Sequence, residues 1–176
     1  MSYTKITYHL SPDTRLLFIG INPSPGTYRR GVPFSNNKSF WYQLLEAGLL
    51  DEEKSDLQHD RLLKQIFLLK LGSIYHMGIL NLVFRPTERM AQVTKDEARL
   101  GAKRIVTAIK KYRPIVVCFI GKGTYELFSG KKNQSYGWQE DIGASRIFVM
   151  HSPIHGARSI RINELIRVGK AAGLLP

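Results

Sequence analysis

The chain has 176 residues, 43% of them hydrophobic, and 26 lysines and arginines against 14 aspartates and glutamates give a formal net charge of +12. A chain of this length can bury a substantial core as one domain. A basic surplus of this size favours a polyanionic partner, with nucleic acid first and an anionic membrane surface second.

Cysteine usage and hydropathy exclude several classes of protein. The single cysteine, Cys118, rules out an internal disulfide and a four-cysteine zinc or iron–sulfur site within one chain. No segment approaches the roughly 18 apolar residues of a membrane span, and the first ten residues lack a secretory signal. We therefore expect a monomer in the cytoplasm, associated with the nucleoid, or in the nucleus of a eukaryote, with no membrane contact.

Apolar runs and helical spacing alternate along the chain. Short apolar runs predict four buried strands, at residues 15–20, 77–83, 115–120 and 146–150. Amphipathic spacing predicts helices over residues 39–48, 60–70 and 162–172. A further helix is predicted to start at the capping box Thr94-Lys95-Asp96-Glu97 and to end before Pro114, and a short helix is predicted after residues 121–123. The remaining long segments are predicted to be loops or solvated chain, namely 22–38, 51–60, 84–93 and 129–141.

This alternation predicts an α/β fold. We expect a three-layer α/β/α sandwich around a mostly parallel four-stranded sheet, forming a single domain over residues 1–176. Ligands of such sheets bind outside the carboxyl ends of the strands. Asn22 lies at such an exit, in a turn stiffened by Pro23 and Pro25, and Asn81 lies at another. Two neutral polar side chains in these places suggest recognition of a neutral heterocycle.

The residues at these exits carry a family resemblance over about residues 14–160. The sequence resembles the mismatch-specific uracil/thymine DNA glycosylases of the uracil-DNA glycosylase superfamily. Three blocks carry the resemblance: Gly20-Ile21-Asn22-Pro23 with Gly31-Val32-Pro33-Phe34 and Phe40-Trp41; Asn81-Leu82-Val83 with Arg85-Pro86-Thr87; and Gly121-Lys122 with Tyr125, leading to Phe148-Val149-Met150 and residues 151–158.

The resemblance implies a role for each matching position. Asn22 matches the catalytic asparagine that holds the attacking water, and Phe34 matches the aromatic residue on which a flipped base stacks. Asn81 matches a residue that reads the edge of the base. Thr27 falls beside the pyrimidine, where Tyr28 is the alternative residue that would exclude the methyl group of thymine. The expected base-binding residues are thus Ile21, Thr27, Tyr28, Phe34 and Asn81.

By the same resemblance, residues 151–158, which we call the closing loop, match the loop that enters the duplex as a wedge in this family. The loop departs from the family pattern because it reads His-Ser-Pro-Ile-His. His151 is a second catalytic candidate, which would stabilise the departing base, and the alternative is that it only satisfies local hydrogen bonds. The side chain that enters the duplex as the wedge is that of Ile154 or Arg158. Candidate DNA contacts are Arg29, Arg30, Lys38, Lys122, Ser152, Ile154, His155, Gly156, Ala157 and Arg158.

The residue types fit hydrolysis of an N-glycosidic bond. An asparagine cannot deprotonate water at neutral pH, but its carbonyl oxygen can orient a water molecule. The leaving base needs hydrogen-bond donors aimed at its developing charge, from backbone N–H groups of residues 20–28 or from His151. The motif contains no lysine for a Schiff base, so the expected product is an abasic site. We expect no metal and no other cofactor.

The sequence therefore predicts a slow, monofunctional DNA glycosylase for base-excision repair. It would flip out and remove uracil, with thymine or other modified bases as further targets, preferably from G mismatches in double-stranded DNA. One alternative is a non-catalytic protein of the same fold that binds mismatched or abasic DNA. Another is an α/β enzyme acting on small nucleotides, which the charge of +12 disfavours.

Overall fold

The structure is a computed structural model that describes residues 5–176. Its centre is a five-stranded sheet of order β2-β1-β3-β5-β4, in which only β4 runs antiparallel to its neighbour. The strands are β1 (Leu16–Gly20), β2 (Met77–Asn81), β3 (Val116–Ile120), β4 (Gly137–Ile142) and β5 (Ser145–Met150). The four parallel strands therefore end at one edge of the sheet.

Seven α-helices flank the sheet in the described part of the chain. They are α1 (Pro25–Arg30), α2 (Ser39–Glu46), α3 (Lys54–Gln58), α4 (Asp60–Gln65), α5 (Lys95–Tyr112), α6 (Lys122–Ser129) and α7 (Arg158–Ala171). A π-helical turn, Ile66–Lys70, continues α4, and a 3-10 turn spans Met90–Gln92. Within residues 5–176, none of the helices combines the length and the apolar character needed to cross a membrane.

Each face of the sheet carries its own apolar core. Alternate residues of β1 point to opposite sides: Leu16 and Phe18 pack with residues of α2 and α7, whereas Leu17 and Ile19 pack with residues of α5. Strands covered on both faces are continuous apolar runs, which is why their sequences do not alternate. The predicted α/β fold with three layers is confirmed, and Cys118 is buried in the core.

The predicted number of strands is wrong, because the segment 129–141, predicted to be a loop, contains most of β4. This strand lies at the edge of the sheet, pairs with β5 alone and is half-exposed, so it lacks the apolar run that marks the other strands. Cross-strand packing stabilises it instead: the Trp138 ring lies 4.9 Å from that of Phe148, its partner in the register, and the Arg146 guanidinium lies 3.9 Å from the Trp138 ring.

Three helical predictions also need correction. The segment 22–38 contains α1, whose start is capped by the Ser24 hydroxyl, which accepts from the Thr27 amide at 3.2 Å. The solvated segment 51–60 contains α3, which turns Leu57 into the core. The last helix begins at Arg158, four residues before the predicted start. The helix opened by Thr94 is confirmed, with its capping box formed.

Helix α5 approaches β2 closely at a glycine. A Cβ atom on Gly101 would lie 1.9 Å from the carbonyl oxygen of Leu82, the residue after β2. Arg104, one turn further along α5, donates to the carbonyls of Asn81 and Leu82 at 3.0 and 2.7 Å. The helix thus fixes the backbone at the exit of β2.

Candidate active site

A cavity of about 250 Å³ opens at the carboxyl edge of the sheet. It lies between the exits of β1, β2 and β3, helix α1, the start of α2 and the closing loop. Its walls are neutral, because no lysine, arginine, aspartate or glutamate of the described chain lines it. The lining residues are Ile21, Asn22, Pro23, Ser24, Thr27, Phe34, Asn36, Asn37, Phe40, Asn81, Ile120, Ser152, Pro153 and Ile154.

The Asn22 side chain is held in one orientation. Its Nδ2 donates to the Thr87 hydroxyl at 2.7 Å, to the Arg85 carbonyl at 3.2 Å and to the Pro23 carbonyl at 3.3 Å. Its Oδ1 accepts no hydrogen bond from any described residue. The fixed amide therefore presents a carbonyl oxygen with free lone pairs at the cavity wall, as orientation of a water molecule requires.

Thr87 is a site residue to which the sequence analysis assigned no role, although it closes one of the quoted blocks. Its side chain is buried, and its hydroxyl donates to the Arg89 carbonyl at 2.9 Å. Because that hydrogen is committed, the oxygen faces Asn22 as an acceptor. The Thr87 amide also donates to the Pro23 carbonyl at 3.1 Å, which ties the loop after β2 to the turn that holds Asn22.

The loop after β2 is anchored to α5 by an ion pair. Arg85 donates to both carboxylate oxygens of Glu97, at 2.6 and 2.9 Å, and to the Gln92 carbonyl at 2.9 Å. The Arg85 guanidinium, together with hydrogen bonds from Thr94, lowers the pKa of Glu97 to about 2. The carboxylate therefore stays ionised at any ordinary pH and holds in place the loop that carries Thr87.

Phe34 forms an aromatic wall of the cavity. Its backbone adopts a left-handed conformation with φ of 56°, and its ring lies 4.7 Å from the Phe40 ring. The preceding residue is fixed by the Trp41 indole, which donates to the Pro33 carbonyl at 2.8 Å. A Cβ on Gly20 would lie 2.7 Å from the Phe34 ring, so only glycine leaves room for the aromatic side chain here.

Asn81 lies across the cavity at the end of β2 and is 3% exposed. Its Nδ2 donates to the Tyr8 hydroxyl at 2.8 Å, and its Oδ1 lies 2.6 Å from the position of a Cβ on Gly20. Tyr8 was not among the predicted site residues, because nothing in the local sequence connects it to Asn81.

Helix α1 contributes small side chains to the cavity. Thr27 lines it and is buried, and the Ser24 hydroxyl donates to the Thr27 hydroxyl at 3.1 Å. Tyr28, the alternative candidate for this wall, is not among the residues that line the cavity. Ile21 does line it, and so do Asn36 and Asn37, which the sequence analysis did not select.

Backbone carbonyls tether the closing loop to two helices. Pro153 accepts from Ser39 and Gln43 of α2 at 3.1 and 3.0 Å. Arg161 of α7 is buried and donates to the carbonyls of His155 and Gly156.

The side chains of this loop differ in what they contact. Ser152 and Ile154 line the cavity, and Ile154 is 62% exposed, whereas His155, Gly156 and Ala157 face solvent. Arg158, the first residue of α7, forms an ion pair with Glu46. Of the two wedge candidates, Ile154 therefore has the free side chain at the mouth of the cavity.

His151 lies beside the cavity, and its ring is not part of the lining. Its Nδ1 lies 2.7 Å from a carboxylate oxygen of Glu164 on α7, and its backbone amide donates to the other oxygen at 2.9 Å. The imidazole stacks on the Tyr136 ring at 3.6 Å between centroids. Both partners are distant in the sequence and were not predicted.

The lysines and arginines predicted to contact DNA differ in whether their charges are paired within the protein. Lys38 pairs with Asp60 at 2.8 Å and donates to the Gln58 carbonyl, and Arg30 pairs with the same Asp60 at 3.4 Å. The hydrogen bond from Lys38 lowers the pKa of Asp60. The Lys122 ammonium lies 4.7 Å from the centre of the Tyr136 ring, and Arg29 is exposed.

The fold and the site define an α/β protein with a neutral cavity at the exits of its parallel strands, walled by an aromatic ring and two asparagines. We compared the sequence with models of known protein families. Residues 7–159 match the sequence model of the family described as the Uracil DNA glycosylase superfamily. The match covers most of the chain, from before β1 to the start of α7, and the protein belongs to this superfamily.

Proposed function

We propose that the protein is a monofunctional DNA glycosylase that removes uracil from DNA, preferentially in G mismatches, and leaves an abasic site. The observation that carries the proposal is the Asn22 amide. Three acceptors hold its Nδ2, and its Oδ1 remains available at the wall of a cavity that Phe34 and Asn81 also line.

The cavity suits a base that has left the duplex. Extrusion of a base costs a few kcal/mol, and the cost is lowest for a mismatched base. Stacking on an aromatic ring such as Phe34 returns about 1–3 kcal/mol. Neutral walls favour an uncharged base, and the Asn81 amide offers hydrogen-bonding groups to its edge. Thr27 and Ser24 are small enough to leave space beside a pyrimidine, so thymine and other modified bases are further candidates.

The hydrolytic step follows from the Asn22 geometry. Its Oδ1 accepts a hydrogen bond from the attacking water and directs the water oxygen toward the sugar carbon that develops oxocarbenium character. No carboxylate of the described chain lines the cavity, so no strong general base speeds the step. The electron pair of the breaking bond leaves with the base, the attacking water loses its proton to solvent, and hydrogen-bond donors at the cavity stabilise the charge on the base. A slow, single-step hydrolysis is the expected behaviour.

His151 is proposed as one of those donors. Glu164 accepts from the Nδ1–H of the ring, so Nε2 donates to the base only when the ring carries both protons as an imidazolium. Because the ring lies outside the cavity lining, this role requires the closing loop to shift when DNA binds.

The closing loop is proposed to enter the duplex with Ile154. An exposed apolar side chain at the mouth of the cavity can fill the space that the base vacates. Arg158 then supports the loop through Glu46 rather than acting as the wedge.

Single-turnover release of the base from duplex oligonucleotides tests this proposal. The substrates carry uracil or thymine opposite guanine, uracil opposite adenine, and uracil in a single strand, with alkali used to reveal abasic sites. We expect release from G·U well above that from A·U. Equal release from all uracil contexts would remove the mismatch preference. Salt-sensitive binding with no release from any substrate would contradict the enzyme and favour the non-catalytic DNA-binding protein.

A further inference from the structure

The orientation of the Asn81 amide is set from outside the cavity. Tyr8 does not line the base cavity but borders a neighbouring cavity with Phe84 and Arg104. Its hydroxyl crosses to Asn81 and accepts from Nδ2 at 2.8 Å. With the amino group turned toward Tyr8, the carbonyl Oδ1 lies on the side of Gly20 and Phe34.

Tyr8 is itself held in a rigid stack. Its ring lies 4.7 Å from the Phe84 ring at an interplanar angle of 13°, and the Arg104 guanidinium lies 3.7 Å from the centre of the Phe84 ring. Arg104 also donates to the backbone carbonyl of Asn81 at 3.0 Å. The stack thus fixes the backbone of Asn81 and holds the Tyr8 hydroxyl beside its amide. Burial raises the pKa of Tyr8, so its hydroxyl is protonated throughout the neutral range.

A fixed amide distinguishes bases by the groups at their edge. An inward Oδ1 pairs with a base that carries a ring N–H, as uracil does at N3. Cytosine presents a lone pair at the same ring nitrogen, so two acceptors would face each other. Leaving a buried polar group unpaired in this way is unfavourable. The reverse amide, with Tyr8 donating to Oδ1, would turn the amino group inward and favour cytosine.

We propose that Tyr8 is a specificity-determining positioning residue, which holds the Asn81 amide so that the cavity accepts bases with a ring N–H and rejects cytosine. The inference rests on the proposed function, because it concerns which base enters the same cavity. It adds a residue that touches neither the base nor the water.

The variant Tyr8→Phe removes the hydroxyl and keeps the stack on Phe84. The Asn81 amide then loses the acceptor for its amino group and can rotate to suit either base. Since a hydrogen bond of this kind contributes about 0.5–1.5 kcal/mol, the preference for uracil over cytosine should fall about two- to tenfold. Tyr112→Phe is the matched control, because Tyr112 borders the same neighbouring cavity but forms no hydrogen bond with Asn81.

The measurement is the affinity for duplexes carrying 2′-fluoro-2′-deoxyuridine or 2′-fluoro-2′-deoxycytidine. Each is placed opposite an abasic analogue, so that neither base is paired and neither is cleaved readily. We expect the wild-type protein and Tyr112→Phe to prefer the uracil duplex, and Tyr8→Phe to lose most of that preference. A wild-type protein that prefers cytosine or shows no preference, or a Tyr8→Phe variant that keeps the wild-type ratio, overturns the inference.

A second measurement does not depend on DNA binding. In NMR spectra of the DNA-free protein, the Asn81 side-chain amide protons should be shifted and slow to exchange with solvent, and both features should be lost in Tyr8→Phe alone. Identical spectra in the two proteins would overturn the inference. Failure of the proposed function has a different signature, namely no release of uracil from a cleavable duplex by a wild-type protein whose affinity ratio still favours uracil.

Discussion

Asn22 and Thr87 lie 65 residues apart in the chain and 2.7 Å apart in the site. An asparagine amide has two orientations of similar shape, and only one of them presents Oδ1 to a water molecule. The Thr87 hydroxyl selects that orientation because its own hydrogen is committed to the Arg89 carbonyl. Two backbone carbonyls, of Pro23 and Arg85, reinforce the selection.

The variant Thr87→Val tests this positioning. It keeps the shape of the side chain and removes the acceptor, so the Asn22 amide becomes less firmly oriented. We expect the single-turnover rate of uracil release to fall about tenfold, the equivalent of one hydrogen bond, with duplex affinity unchanged. Thr87→Ser keeps the hydroxyl and should retain most of the rate. Equal rates for Thr87→Val and the wild type would show that Thr87 does not position Asn22.

The side chains of the cavity were predictable to different degrees. Asn22, Phe34 and Asn81 stand in short local patterns at strand exits, and the structure brings all three to one cavity. Tyr8 and Glu164 could not be predicted. Their contacts depend on how distant elements pack, and no local pattern in the sequence records that packing.

At the scale of elements, the loop between β2 and α5 depends on the Arg85–Glu97 pair. The pKa of Glu97 is lowered to about 2 from an ordinary value of 4.5, mainly by the hydrogen bond from Arg85. A depressed folded-state pKa stabilises the protein fully above the unfolded value, and the contribution is lost as the pH falls through the folded value.

The stability difference between wild type and Glu97→Gln should therefore depend on pH in a defined window. We expect the wild type to be more stable at pH 6, with the advantage shrinking from about pH 4.5 downward and nearly gone at pH 2. Urea denaturation at several pH values measures it. A difference that stays constant across this range would contradict the assigned ion pair.

The close approach of helix α5 to the end of β2 leads to a second prediction, at Gly101. Alanine in place of glycine within a helix ordinarily stabilises it by up to about 1 kcal/mol. Here the added Cβ would lie 1.9 Å from the Leu82 carbonyl oxygen, so the helix must move away from β2. We expect Gly101→Ala to destabilise the protein by about 1–3 kcal/mol in urea denaturation, as overpacking does. A gain in stability would show that the two elements are not so close.

Among the elements that the sequence analysis missed, α1 and β4 were missed for opposite reasons. The signals for α1 are present in the sequence, since Ser24 caps it, Pro25 occupies its first turn and Gly31 ends it in a left-handed conformation. Proline and glycine also mark loops, so in a helix of only six residues the loop interpretation prevailed. The signal for β4 is weak, because a half-exposed edge strand needs neither an apolar run nor strict alternation.

At the scale of the whole molecule, the charge of +12 is not concentrated in the cavity. The lining is neutral, and several of the nearby cations are paired within the protein, as Lys38 and Arg158 are. In the proposed function, the surface charge would attract the phosphate backbone, while the neutral cavity would receive the base. Affinity for DNA would then come from the surface charge, and recognition of the base from the cavity.

Salt dependence tests this division. The logarithm of the DNA association constant should fall linearly with the logarithm of salt concentration, by about 0.9 for each phosphate contacted. Lys122 lies at the edge of the sheet that carries the cavity. Lys122→Gln should reduce the magnitude of the slope by about 0.9, the value for one phosphate contact. Lys170→Gln, near the far end of α7, removes the same charge and should leave the slope unchanged. Equal slopes for wild type and Lys122→Gln would remove Lys122 from the DNA interface.

The most direct test of the account is the single-turnover rate of uracil release from a G·U duplex by the wild type and by Asn22→Ala. Removal of a positioned catalytic group typically costs about 10²–10³-fold, and we expect that loss with duplex affinity unchanged. Asn36→Ala, which alters another asparagine of the same cavity, should stay close to the wild-type rate. An Asn22→Ala variant as fast as the wild type would contradict the assignment of Asn22 as the residue that directs the water.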